Sequence, residues 1–450
     1  MLAAQIFKAN DIRGIVGQEL DEAGARALGQ AYAVVTDQPQ IVVGRDMRQS
    51  APGLQAAFVD GVTAGGVSVI DIGLASTDGL WFASGWLDRP GVQITSSHNP
   101  GPYNGLKFCR RGAQPVEPAW LTALADLACQ IDAGATTIEP AAVRGEVEAR
   151  DLLPDYADYL WHLVPLDGGR RLKVVIDAGN GMAGYTVPAV LGPLDLDIVA
   201  LYFDLDGTFP NHPPNPLEPA NLLDARAAVA RSGADLGIVF DGDADRAFII
   251  DQHGQPVSPS AITAMIAVAE LAKEPGATIV VNTITSSGAH QIVTEHGGQV
   301  VESRVGHTYM KAAMAQHNAI FGGEHSGHYY FRDFFGADSG MLAALYVLSA
   351  LGHASVPLSD LVAQYDRYPS SGEINRTVAD VADCLDRVAT RFADRGQTVR
   401  GDGIKISGPD WWVSLRPSNT EPLLRLNVEA ATAGEVADLR DEVLSLIEEA

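Results

Sequence analysis

The feature that most constrains this chain is a recurring unit: a short β-branched run that stops in a polar or Gly-rich loop and is followed by a helical pattern. It occurs at Ile41–Asp46, Leu172–Asp177, Leu236–Asp241 and Thr278–Thr283. Repeated βα units of this kind build parallel or mixed sheets covered by helices. Such sheets hold ligands at the carboxyl ends of their strands, so the loops after these runs are where chemistry is sought. The rhythm breaks around Glu139–Arg150, around Asp251–Pro259 and around Tyr365–Ser371. The character then changes: Trp411–Leu415 and Leu423–Glu429 read as antiparallel strands joined by a turn, followed by a helix over Ala433–Glu449. A length of 450 residues suits about three domains, with two or four also compatible. The breaks divide the chain into 1–145, 146–251, 252–365 and 366–450, three α/β units and an α+β tail.

Charge and cysteine content narrow the partners. Thirty-one Lys and Arg stand against 56 Asp and Glu, a net charge of −25, so nucleic acid and anionic membrane surfaces are repelled. An anionic substrate must be small and held by a local cluster of cations. Cys109, Cys129 and Cys384 cannot all pair and show no metal spacing, and the opening residues carry no export pattern, so a cytoplasmic location is expected. The apolar stretch Met341–Leu351 reads as a buried helix capped by Asp338 or Ser339, not a membrane span.

Four loops carry chemistry. Asp241-Gly242-Asp243-Ala244-Asp245-Arg246 puts three carboxylates at alternate positions after a strand, which suits Mg²⁺ or Ca²⁺; a solvated acidic turn is the plain alternative. An EF-hand is excluded, because Arg246 stands where Gly is needed and Gln252 where Glu is needed. Thr95-Ser96-Ser97-His98-Asn99-Pro100, with Lys107 beyond, offers hydroxyls beside an imidazole, either a nucleophile or a capped turn. Gly323-Glu324-His325-Ser326-Gly327-His328 has donors and acceptors suited to vicinal sugar hydroxyls, and lacks the helix of a zinc site. Arg416-Pro417-Ser418-Asn419-Thr420-Glu421-Pro422 with Arg425 is composed like a phosphate clamp. A fifth motif, Gly179-Asn180-Gly181-Met182-Ala183-Gly184, matches G-x-G-x-x-G and makes a nicotinamide oxidoreductase the rival class; its mid-chain position favours a structural turn.

Together these motifs, in this order, resemble the α-D-phosphohexomutase superfamily, in its phosphomannomutase/phosphoglucomutase branch, over essentially the whole chain. The resemblance implies four domains around a central cleft, three similar mixed-sheet α/β domains and a C-terminal α+β domain. It implies reversible interconversion of hexose 1-phosphate and hexose 6-phosphate through a phosphoserine and a reorienting hexose 1,6-bisphosphate, which also serves as activator. Ser97 would carry the phosphoryl group, and Asp241, Asp243 and Asp245 would bind Mg²⁺ together with it. Lys107 and Arg246 would neutralise the transferring group, with Lys107 and His307 as proton-transfer candidates. Glu324 and Ser326 would read sugar hydroxyls, with His328 and Arg13 also contacting substrate. Arg416, Ser418, Asn419, Thr420 and Arg425 would clamp the other phosphate. The chain would act on a small phosphosugar as a monomer or homodimer, with a hinge near Tyr365–Ser371. It departs from the family pattern at Asn10, where Tyr is usual, and at Ser96, where Ala is common.

Overall fold

The computed structural model describes residues 2–8, 10–417 and 423–448. The expected runs become strands Gln40–Arg45, Leu172–Asp177, Leu236–Phe240 and Thr278–Asn282 in three successive sheets. The first sheet has the order Asp11–Ile15, Tyr103–Cys109, Gly91–Ile94, Gln40–Arg45, Ser68–Leu74, Val147–Ala149. Tyr103–Cys109 runs antiparallel to both of its neighbours, and every other adjacent pair is parallel. The second runs Ala247–Asp251, Leu236–Phe240, Leu172–Asp177, Leu196–Leu201, and the third Gln299–Ser303, Thr278–Asn282, Phe321–Gly323, Tyr329–Phe331, Ala337–Asp338. Both are mixed, with parallel pairs inside and an antiparallel return at one side.

The tail is a fully antiparallel sheet in which Trp411–Pro417 pairs with Leu423–Ala430, backed by helices Val381–Arg391 and Ala433–Glu448. The helix Gly340–His353 is capped by Ser339, whose hydroxyl accepts from the Leu342 amide at 3.0 Å, so of the two expected caps Ser339 is used. It is buried on nearly every face, which explains a composition apolar but for Ser349 and the terminal His353. No helix among the described residues is long and apolar enough to cross a membrane.

One boundary is corrected. Val147–Ala149 pairs in parallel with Ser68–Leu74, so the division drawn at 145/146 cuts the first sheet. All three residues of that strand are exposed, and no hydrophobic alternation announced it.

Packing sets the tail apart. One continuous apolar cluster runs from Phe82 through Tyr156 and Phe240 to Phe334 and Leu345, joining the three α/β units. The first unit adds a second cluster of its own around Leu28, Phe58 and Leu106, while the C-terminal unit, built on Cys384, Phe392, Leu415, Leu426 and Val443, takes no part in the shared one.

Candidate active site

The loop after strand Gly91–Ile94 is held from beneath by a buried ion pair. Arg48 is fully enclosed and lies against Asp46 at 3.2 Å; its guanidinium donates to the carbonyls of Ser97, Asn99, Pro100 and Tyr103 at 2.7 to 2.9 Å. Asp46 in turn accepts from the Thr95 hydroxyl at 2.7 Å, and that hydroxyl accepts from the Ser97 amide at 3.0 Å. One arginine thus satisfies four carbonyls of a buried loop that would otherwise be costly to desolvate. Ser97 itself has φ +49°, a left-handed conformation that side-chain-bearing residues rarely adopt. Sequence reasoning missed Arg48 and Asp46 as functional; their place just past the carboxyl end of strand Gln40–Arg45 was the available signal.

Ser97 Oγ donates to Asp241 Oδ2 at 3.0 Å and lies 3.2 Å from His98 Nδ1. The neighbouring Ser96 hydroxyl is fully buried with no hydrogen-bond partner among the described residues, whereas the Ser97 hydroxyl meets the carboxylate loop. The approach is close: a Cβ on Gly242 would stand 2.5 Å from the Ser97 carbonyl oxygen. Glycine at 242 is required for contact between the two loops.

The carboxylates of Asp241, Asp243 and Asp245 present ligand atoms within 4.8 Å of one another, all buried. Lys107 Nζ bridges Asp243 and Asp245 at 2.7 Å each, Thr77 donates to Asp243 at 2.6 Å, and Arg246 holds Asp241 at 2.8 to 2.9 Å. Oδ1 of Asp243 and Oδ1 of Asp245 remain buried without a hydrogen-bond partner among the described residues. Orphaned carboxylate oxygens in a cluster of three fit a hard divalent cation. Burial pushes the Asp241 carboxyl up to about 8, against the pull of Arg246. Asp243 is driven the other way, well below the carboxylate range, because Lys107 and two hydroxyls outweigh its burial. Burial would lower the Lys107 ammonium, but Asp243 and Asp245 hold it well above its usual range.

Arg13 sits at the rim, paired with Asp11 at 2.7 Å and donating to Asn99 at 3.0 Å. Asn10 accepts from the Thr308 hydroxyl at 2.6 Å, tying the first unit to the first turn of the third unit's helix that begins at His307. His307 opens the helix His307–His317, and burial together with Lys311 holds its imidazole down to about 3. Glu324 accepts from the Gly306 amide at 3.2 Å and from the Tyr330 hydroxyl at 2.6 Å. The Ser326 hydroxyl lies 2.9 Å from His328 Nδ1, and His328 Nε2 is 3.7 Å from Asp245 Oδ1. The Glu324–His328 loop therefore abuts the carboxylate loop. Lys311, also without a role from sequence, pairs with Asp338 at 2.8 Å.

Arg416 and Arg425 stand directly opposite each other on neighbouring antiparallel strands. Ser418, Asn419 and Thr420 lie outside the described residues. The G-x-G-x-x-G turn is filled by protein. The Met182 amide donates to the Gly242 carbonyl at 2.9 Å, and a Cβ on Gly181 would stand 2.6 Å from that same oxygen. Its glycines let the turn support the carboxylate loop.

Four family models match in order: the α/β/α domains I, II and III of phosphoglucomutase/phosphomannomutase at residues 4–134, 154–254 and 258–368, and the C-terminal domain at 373–446. The chain belongs to the phosphoglucomutase/phosphomannomutase family, and it is accordingly an isomerase of the phosphohexomutase type. It is 40% identical over 432 residues to a phosphomannomutase of Salmonella montevideo, covering 94% of each chain. A phosphoglucomutase/phosphomannomutase family protein of Burkholderia thailandensis has the same structure with a TM-score of 0.89 at 31% identity, covering 100% of this chain and 98% of that one. The fold extends to an Aspergillus fumigatus N-acetylphosphoglucosamine mutase solved with GlcNAc-6P and magnesium, with a TM-score of 0.59 at 15% identity over 83% of this chain and 93% of that one.

Proposed function

We propose that the chain interconverts mannose or glucose 1-phosphate and the 6-phosphate by way of a phosphorylated Ser97 and a hexose 1,6-bisphosphate that turns round in the cleft. The observation carrying this reading is the contact of Ser97 Oγ with Asp241, beside Lys107 and Arg246. A phosphoryl group on that oxygen stands where cations and the carboxylate loop converge. The free hydroxyl of the bound sugar phosphate attacks phosphorus, the P–Oγ bond breaks, and the hydroxyl proton passes to a neighbouring base. His307 is the candidate for that base: burial and Lys311 hold its imidazole low and so unprotonated, and it takes the proton only once the negative charge of the bound phosphosugar has raised its basicity. After reorientation, Ser97 takes back the other phosphoryl group and the proton returns to the product, so the enzyme ends phosphorylated.

Mg²⁺ held by Asp241, Asp243, Asp245 and the seryl phosphate would neutralise developing charge on the transferring group. The magnesium complex of the fungal relative and the orphaned carboxylate oxygens support this assignment. Glu324, Ser326 and His328 read the sugar hydroxyls, Arg13 supports the rim, and Arg416 and Arg425 with Ser418, Asn419 and Thr420 grip the phosphate that is not reacting. Three unpaired cysteines suit a reducing cytoplasm.

Phosphorus NMR with Mg²⁺, a trace of hexose 1,6-bisphosphate and mannose or glucose 1-phosphate in parallel tubes tests the reading. A growing 6-phosphate resonance is expected, and the Ser97 peptide should carry phosphate. Inorganic phosphate as the sole product would overturn it.

A further inference from the structure

The two clamp arginines already hold an anion of the chain's own. Glu373 Oε2 lies 3.3 Å from Arg416 Nη2, and its other oxygen, Oε1, lies 3.5 Å from Arg425 Nη1. One carboxylate bridges two guanidinium groups that face each other across an antiparallel pair, the arrangement a phosphate would adopt there. Nε of each arginine is buried with no hydrogen-bond partner among the described residues, so the single carboxylate leaves both guanidinium groups incompletely satisfied. Asp402, 3.9 Å from the other terminal nitrogen of Arg416, is itself paired with Arg304 at 3.1 Å. Glu373 follows Gly372, whose φ of +65° turns the connecting segment, and precedes strand Ile374–Thr377. Its carboxylate is therefore carried by the link between the third unit and the C-terminal one.

We infer that Glu373 is an internal counter-anion that weakens the clamp's hold on phosphate, making it a positioning residue for the release that reorientation requires. The inference rests on the mutase reading above. A bisphosphate must leave the clamp once in each cycle, turn, and bind by its other end. Two arginines without an opposing carboxylate would hold a dianion too long. With Glu373 in place, the guanidinium charge is partly offset before phosphate arrives, and the carboxylate takes up the donors again as phosphate departs. The same group offsets repulsion between two like charges set opposite each other in a sheet.

Glu373→Gln tests this, because it preserves size and removes the charge. Inorganic phosphate binding, measured by calorimetry on the full-length protein, should tighten about three- to tenfold, a change in the range of one ion-pair contribution. Phosphate should also raise the variant's melting temperature more than it raises that of the native protein. In turnover, KM for the hexose phosphate should fall together with kcat, and Glu373→Asp should restore both. Were Glu373 needed only to orient the arginines, its loss would weaken phosphate binding and raise KM; that result, or an unchanged affinity, overturns the inference. Arg416→Ala in the same calorimetry separates the two readings: if it leaves phosphate binding unchanged, the clamp assignment itself has failed.

Discussion

Ser97 rests among side chains enclosed by three domains that one apolar cluster ties together, beside the first unit's own core, whereas Arg416 and Arg425 stand on a sheet whose apolar cluster includes no residue of the other units. Around Ser97 the charged contacts are buried: Arg48 with Asp46, Lys107 with Asp243 and Asp245, Arg246 with Asp241. At the seam with the C-terminal unit, several are at least partly exposed: Lys405 with Glu302 at 2.9 Å, Arg304 with Asp402 at 3.1 Å, and Arg367 with Glu295. Buried pairs are costly to break, while exposed ones contribute about 1 kcal/mol or less each. The difference suits a reaction in which the donor end stays fixed while the gripping end opens for the intermediate to turn.

The sharpest test of the fixed end is Ser97→Ala. Turnover should fall by more than about 10⁴-fold, the scale on which loss of a nucleophile acts, while hexose phosphate binding persists because the clamp lies elsewhere. Substantial turnover with no phosphate on Ser96 would break the assignment. Arg48→Met comes next. It leaves Asp46 buried without its cation and four carbonyls without their donor, so local stability should drop by about 3–5 kcal/mol. Native-state hydrogen exchange at strand Gln40–Arg45 and the 95–103 loop measures it; wild-type protection there would show that the loop holds its shape unaided.

The same division decides what could be read from sequence. The carboxylate loop was legible because its residues are local, alternating immediately after a strand. The hairpin of Trp411–Pro417 with Leu423–Ala430 was legible from its turn. The braces were not, because their partners are remote: Thr77 reaches Asp243 across 166 positions and Asn10 reaches Thr308 across 298. Asn10 was noticed only as a departure from the family pattern, and its hydrogen bond shows that it links the first and third units. Arg48 resembles any surface arginine until the fold encloses it. Glu373 lies two residues beyond the break at Tyr365–Ser371, where nothing local points to the arginines 43 and 52 positions ahead. The G-x-G-x-x-G turn shows the converse: glycines that permit a ligand to approach serve equally when the approaching group is the Gly242 carbonyl.

At the gripping end, Arg416→Ala should raise KM for the hexose phosphate with a smaller change in kcat, a loss of about 2–3 kcal/mol from one charge-assisted pair. Steady-state kinetics checks it. An unchanged KM would mean that the group gripped here is not the substrate's phosphate.

The smallest effect probes the seam itself. Glu302→Gln removes the charge that Lys405 meets, and leaves the Glu429 oxygen that accepts from the Ser287 amide at 2.9 Å and from Trp412 Nε1 at 2.8 Å. Global stability should change by less than about 1 kcal/mol, as for other exposed pairs. If the C-terminal unit opens as a body, however, this contact is lost on opening, and its removal shifts the open fraction directly. Hydrogen exchange at residues 369–373 should then quicken while the 241–246 loop is unchanged. The difference from the native protein should shrink in high salt, since a screened pair contributes little in either protein. Equal acceleration at both places would mean that the two ends open together, and the contrast between a fixed donor and a moving clamp would fail.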